Sequence, residues 1–126
     1  MKKLLILLFS ILISFNSYGE WTKVSTTVSD TNIYVDTDTI NEVRGYVYVW
    51  TLTDAAEPSQ SGHRSVKVYE QVDCELNRYK RLTYVFYKQS MGLGESETLE
   101  GDGNWKYMVP DTSAYSVMKY ACDYVK

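Results

Sequence analysis

The sequence predicts an α+β domain: a single antiparallel sheet of about six strands, with one C-terminal helix packed on one face and tied to it by a disulfide. Three observations carry that prediction. Beyond the first 19 residues, Val (13), Thr (11) and Tyr (11) dominate while Leu falls to five, and β-branched and aromatic side chains favour a pleated backbone. Helical spacing of apolar residues appears only after Pro110. The chain has two cysteines, Cys74 in a strand-like stretch and Cys122 in the helical one.

The N-terminus is read as a segment that leaves the mature protein. Lys2-Lys3 forms a charged start, Leu4 to Phe15 is an apolar run broken only by Ser10 and Ser14, and Ser17-Tyr18-Gly19 offers small residues at a cleavage site. That is the pattern of a secretory signal over residues 1–19, cut before Glu20. The run is short of the roughly 20 residues that span a bilayer, so no transmembrane segment is expected after cleavage. No cysteine stands at the cut site for an N-terminal lipid anchor. The expected location is periplasmic or secreted, with any cell-surface association made without that anchor. Residues 20–126 then form one domain. Loss of Lys2 and Lys3 takes the net charge from −3 to −5, which argues against general nucleic-acid binding.

Within the domain, strands are expected at Trp21–Val28, Thr31–Thr37, Arg44–Thr53, His63–Leu76, Tyr79–Met91, Glu95–Glu100 and Trp105–Val109. Turn residues separate them at Ser29-Asp30, Asn41 to Gly45, Glu57-Pro58 to Gly62, Gly92/Gly94 and Gly101-Asp102-Gly103-Asn104. Short connections imply a mostly antiparallel meander. After Pro110, Asp111-Thr112-Ser113 offers helix caps, and Ala114, Tyr115, Val117, Met118, Ala121 and Cys122 recur at helical spacing over about three turns. In an exported chain the even cysteine pair is expected to be oxidised. A Cys74–Cys122 bond places the helix on one sheet face, the face of Val72, Val68 and Val66, with Lys67, Tyr69, Gln71 and Asp73 on the other.

Little in the sequence supports catalysis or cofactor binding. His63 is the single histidine, and a Ser–His–Asp set would rest on it alone; a solvated loop histidine is the simpler reading. Asp36-Thr37-Asp38 starts like a calcium loop but lacks the Gly and Glu that should follow. The glycine pairs at 92–94 and 101–103 precede strand-like residues rather than a helix, so they read as turns. Glu95, Glu97 and Glu100 read as a solvated edge. No catalytic residue, metal site or cofactor is expected.

Two features suit binding. The run Arg78-Tyr79-Lys80-Arg81 concentrates positive charge beside an aromatic ring in an acidic protein, which fits a sulfated glycan or an acidic protein surface, or else protects a sheet edge. In Tyr46-Val47-Tyr48-Val49-Trp50, Tyr46, Tyr48 and Trp50 share one face and the valines the other. The rings either pack inward as cross-strand pairs or form an exposed aromatic face for homodimerisation or for another protein.

Spacing over nearly the whole mature chain resembles the surface-adhesin protein E family. The residues that carry it are Trp21…Val24, Tyr34-Val35-Asp36, Trp50, Arg64-Ser65-Val66-Lys67, Asp73-Cys74, Arg78-Tyr79…Leu82, Met91-Gly92-Leu93-Gly94, Trp105…Val109-Pro110 and Cys122. The resemblance implies a curved antiparallel sheet of about six strands with a C-terminal helix disulfide-tied to its concave face. It also implies kinship with dimeric outer-membrane adhesins that bind the host proteins vitronectin, laminin and plasminogen. Those adhesins resemble lipoproteins anchored through an N-terminal cysteine, where this chain has Glu20-Trp21. The expected function is that of an exported, non-enzymatic, adhesin-like protein binding a host matrix or serum protein. The alternative is a periplasmic structural or assembly factor that shares only the fold.

Overall fold

A computed structural model of the protein describes residues 21–126. The export segment expected at 1–19 lies outside the described residues. Eight strands form one sheet: β1 (Trp21–Thr26), β2 (Asn32–Asp36), β3 (Asn41–Val43), β4 (Tyr46–Asp54), β5 (Ser65–Asp73), β6 (Arg78–Tyr87), β7 (Ser96–Glu100) and β8 (Lys106–Tyr107). One α-helix, α1 (Ser113–Tyr124), follows. All pairings are antiparallel and the main order is β1-β2-β4-β5-β6-β7. The sheet therefore has six positions filled by eight strands, because two positions are shared. β2 and β3 pair with successive parts of β4, separated by a 3-10 turn at Thr37–Thr39. β7 and β8 pair with successive parts of β6. The stretch Asn41 to Gly45, expected as a connection, supplies β3 and a tight turn at Arg44-Gly45. Three residues against a neighbour leave too short an alternation to read from sequence.

The helix begins as its residues dictate. Thr112 is extended, and its hydroxyl accepts the backbone N–H of Tyr115 at 3.2 Å, which satisfies one of the free donors of the first turn. Val117, Met118 and Ala121 are buried, with Ala114, Tyr115 and Cys122 partly so, matching the expected stripe. The helix packs on β1, β2 and β4, and the Cys74–Cys122 disulfide (Cα–Cα 6.0 Å) ties its C-terminal end to the residue that follows β5. The core beneath it holds Ile33, Val35, Val47, Val49, Val72 and Tyr79. The valines of the Tyr46–Trp50 stretch are thus the core set, fully shielded from water. Burying five or six such side chains is the main favourable term in so small a fold.

One irregularity sets which side chains face which way. Along β5, Tyr69 pairs with Thr83 and Glu70 with Arg81, so Leu82 is an extra residue in β6. This bulge inverts the alternation beyond it: Tyr79 and Arg81 share the helix side with Tyr84 and Phe86, while Arg78 and Lys80 share the opposite side with Val85 and Tyr87. Gly101 is fitted to the bulge. Its N–H donates to the Leu82 carbonyl at 2.9 Å, and a Cβ there would lie 1.8 Å from the Arg81 carbonyl oxygen, so any larger residue would push β7 away.

Candidate functional site

Strand alternation gathers two groups of rings on the sheet face that the helix does not cover. Trp50 and Tyr69 are direct cross-strand partners with centroids 5.0 Å apart, and Tyr48 lies diagonally across at 6.0 Å from Tyr69. Such spacings are those of mutually attractive aromatic pairs. Tyr46 extends the row to Trp105, 5.7 Å away, brought in because β8 pairs with the start of β6. The rings are half-buried, and among the described residues no second sheet lies over them. Both readings of Tyr46, Tyr48 and Trp50 thus hold in part: they form cross-strand pairs, and the paired surface faces outward.

Cations are interleaved with this row. The Arg78 guanidinium carbon stands 4.2 Å, and Lys80 Nζ 4.4 Å, from the Trp105 ring centre, a range in which the ring face attracts a cation. Arg78 Nε also donates to Asp73 Oδ2 at 2.9 Å, while Asp73 Oδ1 accepts the Leu76 N–H. Burial alone would raise the Asp73 pKa, but the hydrogen bonds from Arg78 and Leu76 outweigh it and hold the carboxyl below its usual range. Further along the face, Lys67 Nζ lies 5.6 Å from the Trp21 ring centre and 5.2 Å from that of Tyr87. At that end, the turn at Ser90–Gly92 folds back onto the strands. Asp54 accepts Ser90 Oγ at 2.8 Å and the Met91 N–H at 2.9 Å, and Ser65 Oγ accepts the Gly92 N–H.

The basic run does not stay together. Because successive side chains in β6 point to opposite faces, Arg78 and Lys80 join Tyr46, Tyr48 and Trp50, whereas Tyr79 is 8% exposed in the core and Arg81 lies on the helix side. There Arg81 Nε meets Glu70 Oε1 at 3.5 Å. Burial pushes the Glu70 carboxyl up to about 7 despite the opposing pull of Arg81. Glu70 alternates with Val72 and Val68, so a face read only from its valines hides a buried acid. The outward face also holds Trp21, Lys67, Tyr69, Tyr87 and Trp105, which are not among the binding candidates of the sequence. Alternation with Asp73 already placed Lys67 and Tyr69 there, but Tyr87 depends on the bulge and Trp105 on the β6–β8 pairing.

Other sequence candidates fall elsewhere. His63 packs on Phe86 (5.4 Å between ring centres), its Nδ1 is 3.0 Å from Ser61 Oγ, and its Nε2 is 3.8 Å from Glu97. Ser61 is two residues away in the same exposed turn, and the contact closes that turn together with Ser59, which accepts the His63 N–H. Asp36 caps the 3-10 turn by accepting the Asp38 N–H at 3.1 Å. Among the described residues no three His, Cys, Asp or Glu side chains are grouped to hold a metal ion, and no helix is long and apolar enough to cross a membrane.

The architecture defines a class: a small, disulfide-tied single-sheet domain with one helix on one face and a broad, cation-bearing aromatic surface on the other. The chain belongs to the surface-adhesin protein E family, whose model matches residues 21–123. Membership places it with the surface adhesins. Among solved structures it is similar to crystal form II of Haemophilus influenzae protein E, with a TM-score of 0.67 at 19% identity, covering 84% of this chain and 90% of that one. A second structure of Haemophilus influenzae protein E gives 0.64 at 18% identity, covering 82% and 83%. Protein E from non-typeable Haemophilus influenzae gives 0.56 at 16%, covering 84% and 86%. At these identities the likeness establishes the fold. No curated protein matches the chain at a significant level.

Proposed function

We propose that this chain is an exported, non-enzymatic adhesin whose helix-free sheet face binds a host extracellular-matrix or serum protein. One observation carries the reading: a row of half-buried rings, with Arg78, Lys80 and Lys67 set among them, lies on the sheet face that α1 leaves uncovered. Rigid aromatic side chains and arginine are the residue types that anchor protein interfaces, and partial burial of each ring against its neighbour lowers the entropy lost on binding. Cleavage of residues 1–19 delivers the domain to the periplasm, from which it reaches the cell surface.

The test has two arms. Protease shaving of intact cells should remove the protein; complete protection would instead favour a periplasmic structural or assembly role. Binding to immobilised matrix and serum proteins should then be measured for the wild type and for Tyr48→Ser and Lys80→Glu. Both substitutions lie on the helix-free face, so the proposal expects at least a tenfold loss with unchanged circular dichroism. Undiminished binding in both variants would move the contact elsewhere on the molecule. Sedimentation at micromolar concentration addresses homodimerisation through the same face: a dimer that Tyr48→Ser dissociates would show the row occupied by a second copy.

A further inference from the structure

A cavity of about 280 Å³ opens on the helix-free face, lined by Trp21, Asp36, Trp50, Lys67, Val85 and Tyr87. Side chains from β1, β2, β4, β5 and β6 converge there, and the Leu82 bulge is what brings Val85 and Tyr87 to this side. Ligand pockets run from about 300 to 1,000 Å³, so the space suits a single ring rather than a large molecule.

The lining has three chemical parts. Trp21, Trp50 and Tyr87 supply apolar ring faces. Lys67 supplies a cation that has no carboxylate within 4.0 Å among the described residues, since every recorded ion pair uses other groups. Its position is nonetheless fixed. The ammonium stands between the Trp21 and Tyr87 rings, and its stem lies so close to Gly92 that a Cβ there would be 2.6 Å from Lys67 Cε. Gly92 also has φ +71, a conformation that suits glycine. The third part is Asp36, whose Oδ1 accepts the Asp38 N–H, leaving Oδ2 to accept from a ligand.

A purely aromatic ligand would leave the ammonium without a counter-charge on a partly desolvated surface. A simple inorganic anion would leave three rings unused and would meet Asp36. A ring with an apolar face, hydroxyl groups and one carboxylate uses all three parts. We propose that this pocket is a subsite for a carboxylate-bearing sugar residue of a glycan. Its ring stacks on the tryptophans, its carboxylate accepts from Lys67 Nζ, and a ring hydroxyl donates to Asp36. The inference rests on the helix-free face being the binding face, and it names the chemistry that face reads.

Titration with an unsulfated hyaluronan tetrasaccharide, in which glucuronic acid alternates with N-acetylglucosamine, tests it. The same tetrasaccharide with its carboxyls reduced to alcohols is the matched control. Tryptophan emission and amide chemical shifts of the intact mature chain are the readouts. The wild type should show saturable binding with shifts at the pocket, and the reduced sugar should bind at least tenfold more weakly. Lys67→Met keeps the stem and removes the charge; it should bind the acidic sugar at least tenfold more weakly and no longer distinguish the two forms. Lys119→Met, exposed on α1 and away from the helix-free face, should keep wild-type affinity. The comparison of two sugars on the wild type decides the matter even if Lys67→Met does not fold. No saturable binding, equal binding of both sugars, or an equal loss in Lys119→Met would overturn the proposal. If matrix-protein binding is sensitive to Tyr48→Ser while the sugar does not bind, the pocket assignment alone is lost.

Discussion

Glu70 provides a sharp test of how this fold handles a buried charge. The residue is 6% exposed, its one ion-pair partner among the described residues is Arg81 at 3.5 Å, and burial raises its pKa from 4.5 to about 7. In the unfolded chain the carboxyl loses its proton near 4.5, whereas in the fold it keeps it to about 7. Between those values the native state holds a proton that the unfolded state lacks. The associated stability is fully present below 4.5 and is lost as pH rises through 7. The whole effect is about 3 kcal/mol, most of which falls between pH 5 and 8. Glu70→Gln keeps the volume and an acceptor for Arg81 but does not titrate. Urea unfolding followed by fluorescence at pH 5, 6, 7 and 8 gives the readout. With a denaturant slope of about 2 kcal/mol/M, the wild-type midpoint should fall by about 1 M relative to that of Glu70→Gln over this range. Asp73, whose pKa is lowered, acts in the opposite sense, its contribution lost only as pH drops below the usual carboxylate range, so it lies outside this window. Two pH profiles that ran parallel would refute the reasoning, because Glu70 would then be ionised in the fold at no cost.

Further expectations follow from the geometry. Replacing Cys74 and Cys122 with alanine opens a loop of 48 residues, which chain entropy values at about 4 kcal/mol. Urea midpoints of the two forms measure this, and thiol titration of the unreduced wild type should find no free thiol. Gly101→Ala forces a Cβ into the Arg81 carbonyl and should cost about 3 kcal/mol or more, with amide exchange accelerated first in β7. Thr112→Ala removes the cap on the Tyr115 N–H and should cost about 1 kcal/mol, with faster exchange confined to the first turn of α1. Retention of wild-type exchange there would mean another group caps the helix.

Much of the fold was legible from local pattern. The helix stripe around Val117, Met118 and Ala121, its start after Pro110, the long strands β4 to β6 and the cysteine pair all rest on periodicity or composition, which neighbouring residues alone express. The site was legible in half. Tyr46, Tyr48 and Trp50 declare a shared face by alternation, but whether they or the valines are core depends on where the helix lies. The basic run Arg78 to Arg81 reads as one patch in the sequence because its members are adjacent there, but a strand sends neighbouring side chains to opposite sides.

By itself the sequence determined the α+β class, the C-terminal helix, the disulfide pairing of its two cysteines and the alternation that separates rings from valines. These follow from side-chain shape and spacing within a few residues. Only the tertiary structure decided that β2 with β3, and β7 with β8, share positions in the sheet, that Leu82 is a bulge fitted by Gly101, and that Trp21, Trp50, Lys67 and Tyr87 meet. Those outcomes depend on register between strands distant in the chain, and one extra residue in β6 exchanges the faces of everything beyond it.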